Sequence, residues 1–178
     1  YFHRQDVIRP NSLAFGVGYE GKYGGIDGRS TCGTTNPQHY PVLCPMPGQS
    51  GIALTYGKEA PDATPGDASA GYPITVYFNT GKLKLTAHSL KAAGPAGAPP
   101  QAGKATPAAG ESIECYVFDP KTGASADMTG WQQCVCIIPK DPLKPNVEYE
   151  VMFNVEVDGK PWVKTWRFET SALKKARR

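Results

Sequence analysis

From Glu148 to Val157 the chain alternates without a break. Tyr149, Val151, Phe153, Val155 and Val157 take every second position, and Glu148, Glu150, Met152, Asn154 and Glu156 take the others. A period of two sends one set toward a core and the other toward water, which predicts an antiparallel strand with one solvated face. Asp158-Gly159 follows, a pair that tolerates positive φ at both central positions of a type I′ turn. The chain is therefore expected to return along Pro161 to Thr170, with Trp166 and Phe168 on one face and Thr165, Arg167 and Glu169 on the other. Upstream, Tyr72, Ile74, Val76 and Phe78 form one face of a predicted strand, and Leu83, Leu85 and Ala87 one face of the next, which leaves His88 on a polar side. Ile113, Cys115 and Val117 suggest a further strand, and Cys134, Cys136 and Ile138 another.

Short alternating strands at this spacing suit an immunoglobulin-like sandwich over residues 71–170. Residues 1–57 hold a polar start, the apolar strand Ala14-Phe15-Gly16-Val17-Gly18-Tyr19, and a loop rich in Gly and Pro that ends in Gly51-Ile52-Ala53-Leu54-Thr55-Tyr56. Residues 58–70, with Pro61, Pro65 and Gly66 among Asp and Ala, read as a linker. The Ala, Gly and Pro run from Ala92 to Gly110 supplies little for a core and reads as a long loop. Residues 171–178 form a basic tail ending Lys174-Lys175-Ala176-Arg177-Arg178, expected to be a solvated terminus rather than a nucleic-acid or anionic-lipid contact. The pattern offers no helix of ordinary length after residue 10, and no internal repeat.

Composition narrows this only a little. The chain has 178 residues, 40% of them hydrophobic, with 20 Gly, 17 Pro and a formal net charge of +3. It is long enough to bury one good core or two small ones, and its turn-forming residues fit many short strands. No apolar run is long enough to span a bilayer, and the start lacks the apolar stretch of a signal peptide. Because Tyr1 is not an initiator Met, the chain is expected to be a processed product or an excised piece, with any targeting segment upstream.

The five cysteines bear on compartment. Cys32 and Cys44 flank a short loop, Cys115 lies in one predicted strand, and Cys134 and Cys136 share a face of another. Disulfides among these five residues, with one left over, suit an oxidising, extracellular setting. A bridge from Cys115 to Cys134 or Cys136 is preferred to a metal site, because Cys134-Val135-Cys136 is too short for the CxxC pattern and no second ligand pair stands at metal spacing.

Candidate chemistry is sparse. A hydrolase needs a nucleophile, a base and an oxyanion donor in mutual reach, and the only histidines are His3, His39 and His88. They support no triad. Glu59, Asp62 and Asp67 could offer oxygen ligands to calcium, but nothing matches the twelve-residue calcium loop. A free amine on Tyr1 with His3 at the third position is a square-planar set suited to Cu²⁺ or Ni²⁺, if Tyr1 is a native terminus. No cofactor is expected. The aromatics Tyr19, Tyr23, Tyr40, Tyr56, Trp131 and Trp162 lie in or beside glycine-rich loops, where rings can stack on a glycan or seat a protein. Of these Tyr19, Tyr23, Tyr40 and Trp131 are the candidate ligand surface, and Trp162 is expected to cover the end of a core.

Two resemblances emerge from motifs taken in order. Pro142-Leu143-Lys144-Pro145-Asn146-Val147-Glu148-Tyr149-Glu150-Val151, then Asp158-Gly159-Lys160, then Trp166-Arg167-Phe168-Glu169-Thr170 resembles the ending of bacterial Ig-like domains of the surface-layer type. There a proline-leucine-x-proline turn enters a tyrosine-bearing strand and the last strand closes on phenylalanine-x-threonine. The match spans Gly71 to Thr170. Upstream, His3-Arg4, Val7-Ile8-Arg9-Pro10 and Phe15-Gly16-Val17-Gly18 is similar to the end of a CAP-superfamily (SCP-like) domain of bacterial secreted proteins. The join also resembles a bacterial CAP-plus-Ig architecture, through Tyr40-Pro41, Pro45-Met46-Pro47-Gly48-Gln49-Ser50-Gly51, Glu59-Ala60-Pro61-Asp62 and Gly71-Tyr72-Pro73-Ile74-Thr75-Val76.

The resemblance implies a mainly β chain: an Ig-like antiparallel β-sandwich preceded by the terminal strand and loop portion of a CAP-like α/β/α domain. It implies a secreted or cell-surface module that binds a protein or glycan, or serves a structural role, without catalysis. A CAP cavity uses two histidines and two acidic residues, of which only His3 would be present here, as a remnant. A secreted hydrolase completed by an absent N-terminal CAP fragment, and a subunit of an extracellular assembly, are the alternatives. Neither nucleic acid nor a membrane span enters any of these readings.

Overall fold

The alternating segment becomes the central strand of a three-stranded sheet. In the computed structural model the described residues are 12–20, 23–30, 41–56, 64, 70–78, 82–93, 110–120 and 133–172, the first two spans by backbone alone. Their strands are β1 (Ser12–Glu20), β2 (Tyr23–Ser30), β3 (Val42–Cys44), β4 (Ile74–Tyr77), β5 (Leu83–Ala93), β6 (Cys115–Phe118), β7 (Cys134–Pro139), β8 (Glu148–Val157) and β9 (Lys160–Glu169). β1 and β2 pair with each other, β3-β4-β7-β6 form a four-stranded sheet, and β5-β8-β9 a three-stranded one. Every ladder within these sheets is antiparallel. The described residues contain no helix.

One core joins the two larger sheets. Ile74, Val76 and Phe78 beside β7's Val135 and Ile137 meet Leu83, Leu90 and Ala92 of β5 and the inward row Tyr149, Val151, Phe153 and Val155 of β8, with Trp166 and Phe168 of β9 closing the side. This layering fits a β-sandwich. Each large apolar side chain withdrawn from water contributes about 1.5–3 kcal/mol, so the inward row of β8 is a principal driving term. Ring geometry adds to it: Tyr149 stacks on Phe168 and Phe153 on Trp166, both with centroids 5.7 Å apart and ring planes within 22°.

The β8–β9 turn forms as its sequence predicts. Asp158 and Gly159 have φ of 50° and 78°, and Val157 pairs with Lys160 across them. Asp158 also ties the turn to the start of β5. Its N–H donates to the Lys82 carbonyl (3.0 Å), and its Oδ1 accepts from the Lys82 N–H (2.8 Å).

β5 departs from simple alternation. Leu85 pairs with Val155 and Ala87 with Asn154, so Thr86 is an extra residue in a β-bulge, and its hydroxyl donates to the Asn154 carbonyl (2.9 Å). The extra residue reverses the facing of everything after it. Ala87, expected beside Leu83 and Leu85, is exposed, whereas His88 comes into step with the buried Leu90 and Ala92 and is half-buried.

β7 is buried on both faces. Val135 and Ile137 enter the shared core, while Cys134, Cys136 and Ile138 join Tyr77, Phe118, Tyr56 and Ala70 in a second cluster on the far side of the four-stranded sheet. Thr64 and Ala70, inside the stretch whose composition reads as a linker, are each only 1% exposed. On the edge strand β6, Val117 pairs with the core residue Ile137 yet stays exposed, whereas Ile113 and Cys115 pack on the shared core.

The segment after β3 belongs to both sheets. Val42–Cys44 pairs with β4, and a few residues later Gly48 donates to the Arg167 carbonyl, Glu169 to that of Gln49, Ile52 to that of Glu169 and Ser171 to that of Ile52 (2.8–3.1 Å), with Ile52 and Thr170 in a parallel bridge. Trp166 secures the crossing by donating from Nε1 to the Pro45 carbonyl (2.9 Å).

Candidate functional site

The described residues place only part of what the sequence singles out. Tyr1, His3, Cys32, His39, Tyr40, Glu59, Asp62, Asp67 and Trp131 lie outside the described residues. Tyr19 and Tyr23 occupy adjacent register positions at the closed end of the β1–β2 hairpin, where Tyr19 pairs with Gly24 and Glu20 with Tyr23. Tyr56, read as a loop aromatic, is instead buried in the second cluster. Trp162 packs edge-on against Phe78 (5.2 Å, 84°) and covers the end of the core as expected.

Cys44, Cys115, Cys134 and Cys136 are all thiols. The expected bridge from Cys115 to Cys134 or Cys136 is therefore corrected, and the register gives the reason. Cys115 pairs with Pro139 and packs on the shared core, while Cys134 and Cys136 point to the opposite side of the same sheet. The sheet itself stands between the sulfurs, which a disulfide cannot cross. Burial pushes the Cys115 thiol up to about 12, with the Lys140 charge opposing only part of the effect. At neutral pH it is a neutral, weakly reactive group.

The remaining ionisable groups follow burial and neighbours. Burial lowers the His88 pKa, which favours neutral imidazole. The Tyr149 phenol is pushed up by burial, against the hydrogen bond it accepts from the Lys144 N–H. Among the described residues no group of three or more His, Cys, Asp or Glu could hold a metal ion, and no helix is long and apolar enough to cross a membrane.

What the described residues do present is the solvent side of β5-β8-β9. The register places Ala87, Asn154 and Val163 in one cross-strand row and Ser89, Met152 and Thr165 in the next. These two rows carry no charge, and Val163 is 59% exposed at their margin. Charged rows bracket them: Lys84 and Glu156 toward the turn, Lys91, Glu150 and Arg167 toward the other end. Arg167 is held there by Glu150 through Nε (2.9 Å) and Nη2 (2.8 Å) and by Glu148 through Nη1 (3.3 Å). Sequence reasoning marked Met152 and Asn154 only as solvent-facing; the bulge that brings Ala87 and Ser89 beside them left no clear trace in the alternation.

No protein-family profile and no curated protein matches this chain.

Proposed function

We propose that the two-sheet unit is an Ig-like module of a secreted or cell-surface bacterial protein, preceded by a CAP-like portion, and that it works by binding or spacing rather than by catalysis. The observation that carries this reading is the strand order. β3-β4-β7-β6 opposite β5-β8-β9 corresponds to A-B-E-D opposite C-F-G of a constant-type immunoglobulin sandwich. Two further details support it. Tyr149 stands near the start of the strand corresponding to F, with its hydroxyl bonded to the backbone five residues upstream, as in the tyrosine corner of that fold. The crossing segment pairs parallel with the last strand.

The fold lacks the antibody-type disulfide, and Trp166 sits on the last strand rather than on the one corresponding to C. Secretion rests on the resemblance to CAP and surface-layer proteins, since the expected bridge from Cys115 no longer argues for an oxidising compartment. The step from this fold to a display or binding role is an analogy of architecture. The partner class is a protein or glycan at the cell surface, and the side of β5-β8-β9 around Val163 has the character such a contact needs.

Binding of the whole chain to a panel of cell-surface proteins and wall glycans tests the reading. Saturable binding that Val163→Asp weakens at least tenfold, with the melting temperature unchanged, supports it. Turnover of wall polymer or peptide by the chain together with a CAP fragment overturns it in favour of the hydrolase. Concentration-dependent sedimentation without binding points to an assembly subunit.

A further inference from the structure

We draw no further inference here: the strongest candidate, the edge of β9 from Pro161 to Thr165, which no described residue pairs with on the side away from β8, carries nothing because nothing in the structure shows what covers it.

Discussion

Tyr149 and Thr170 grip the same residue, Lys144, one through its N–H and the other through its carbonyl. The Tyr149 hydroxyl accepts the Lys144 N–H (2.8 Å), while Thr170 Oγ1 donates to the Lys144 carbonyl (2.6 Å) and accepts from the Val147 N–H (3.0 Å). Between them the turn before β8 is closed, and Leu143 is pressed into the core. Tyr149 and Thr170 are thus the two ends of one clamp.

Removing either end should destabilise the fold without changing it. Tyr149→Phe leaves the ring stacked on Phe168 but removes the acceptor, at a cost of about 1–2 kcal/mol. Thr170→Val removes a buried donor and acceptor together and should cost about 2–3 kcal/mol. Urea unfolding checks both, with the slope unchanged. A double mutant whose loss falls short of the sum by at least 0.5 kcal/mol, by order of magnitude, would mark the coupling expected of groups sharing a partner.

Gly71 and Gly159 should respond to alanine for different reasons. A Cβ on Gly71 would lie 2.7 Å from Pro139 Cβ and 2.8 Å from the Asp141 carbonyl oxygen, atoms that cannot rotate away. Gly71→Ala should therefore cost about 1–3 kcal/mol through overpacking. Gly159 has open space around it but a φ of +78°, so Gly159→Ala should cost about 1 kcal/mol through backbone strain. Thermal melts of the two variants order them; a Gly71 variant as stable as the parent contradicts the close approach.

The thiols can be counted directly. Alkylation after unfolding, without reductant, should modify Cys44, Cys115, Cys134 and Cys136, and peptide mass mapping should find no Cys115–Cys134 or Cys115–Cys136 cross-link. In the folded protein Cys134 and Cys136, both almost fully buried, should react much more slowly than Cys44. A Cys115–Cys134 or Cys115–Cys136 cross-link refutes the placement of these sulfurs on opposite sides of the sheet.

Stability should fall at both pH extremes, for identifiable groups. The folded Cys115 stays protonated to about 12, above its unfolded value of 9.0. Its contribution is complete below pH 9 and is lost as pH rises toward 12, because only the unfolded chain gains by ionising. The raised Tyr149 pKa acts in the same direction above its ordinary value. His88 has the opposite sign: its folded pKa is depressed, so its contribution is present above 6.5 and declines as pH falls below it. Denaturation midpoints across pH should show a shallower alkaline decline in Cys115→Ala and a shallower acid decline in His88→Gln.

The β8–β9 hairpin was legible because one face of β8 meets core and the other meets water, so burial writes itself as alternation. β7 was half legible. Cys134, Cys136 and Ile138 do share a face, but both faces of β7 are buried, and alternation alone cannot say which row enters the shared core. β5 misled after Leu85 because one unpaired residue, Thr86, inverts the pattern without changing its composition. β3 was missed because three residues ending at a proline carry no period, and its pairing is decided by distant partners in β4. The surface around Val163 required a register among three strands, which no single segment encodes.

That doubly bonded segment also bears on where the molecule can be divided. A fragment cut at Gly71, where the alternation begins, would strip β4 of its outer neighbour, leave the indole of Trp166 without its acceptor, and bare the backbone of Arg167 through Ser171. Such a piece would carry raw borders on both layers and invite sticking between copies. The smallest portion worth expressing alone therefore starts ahead of Val42.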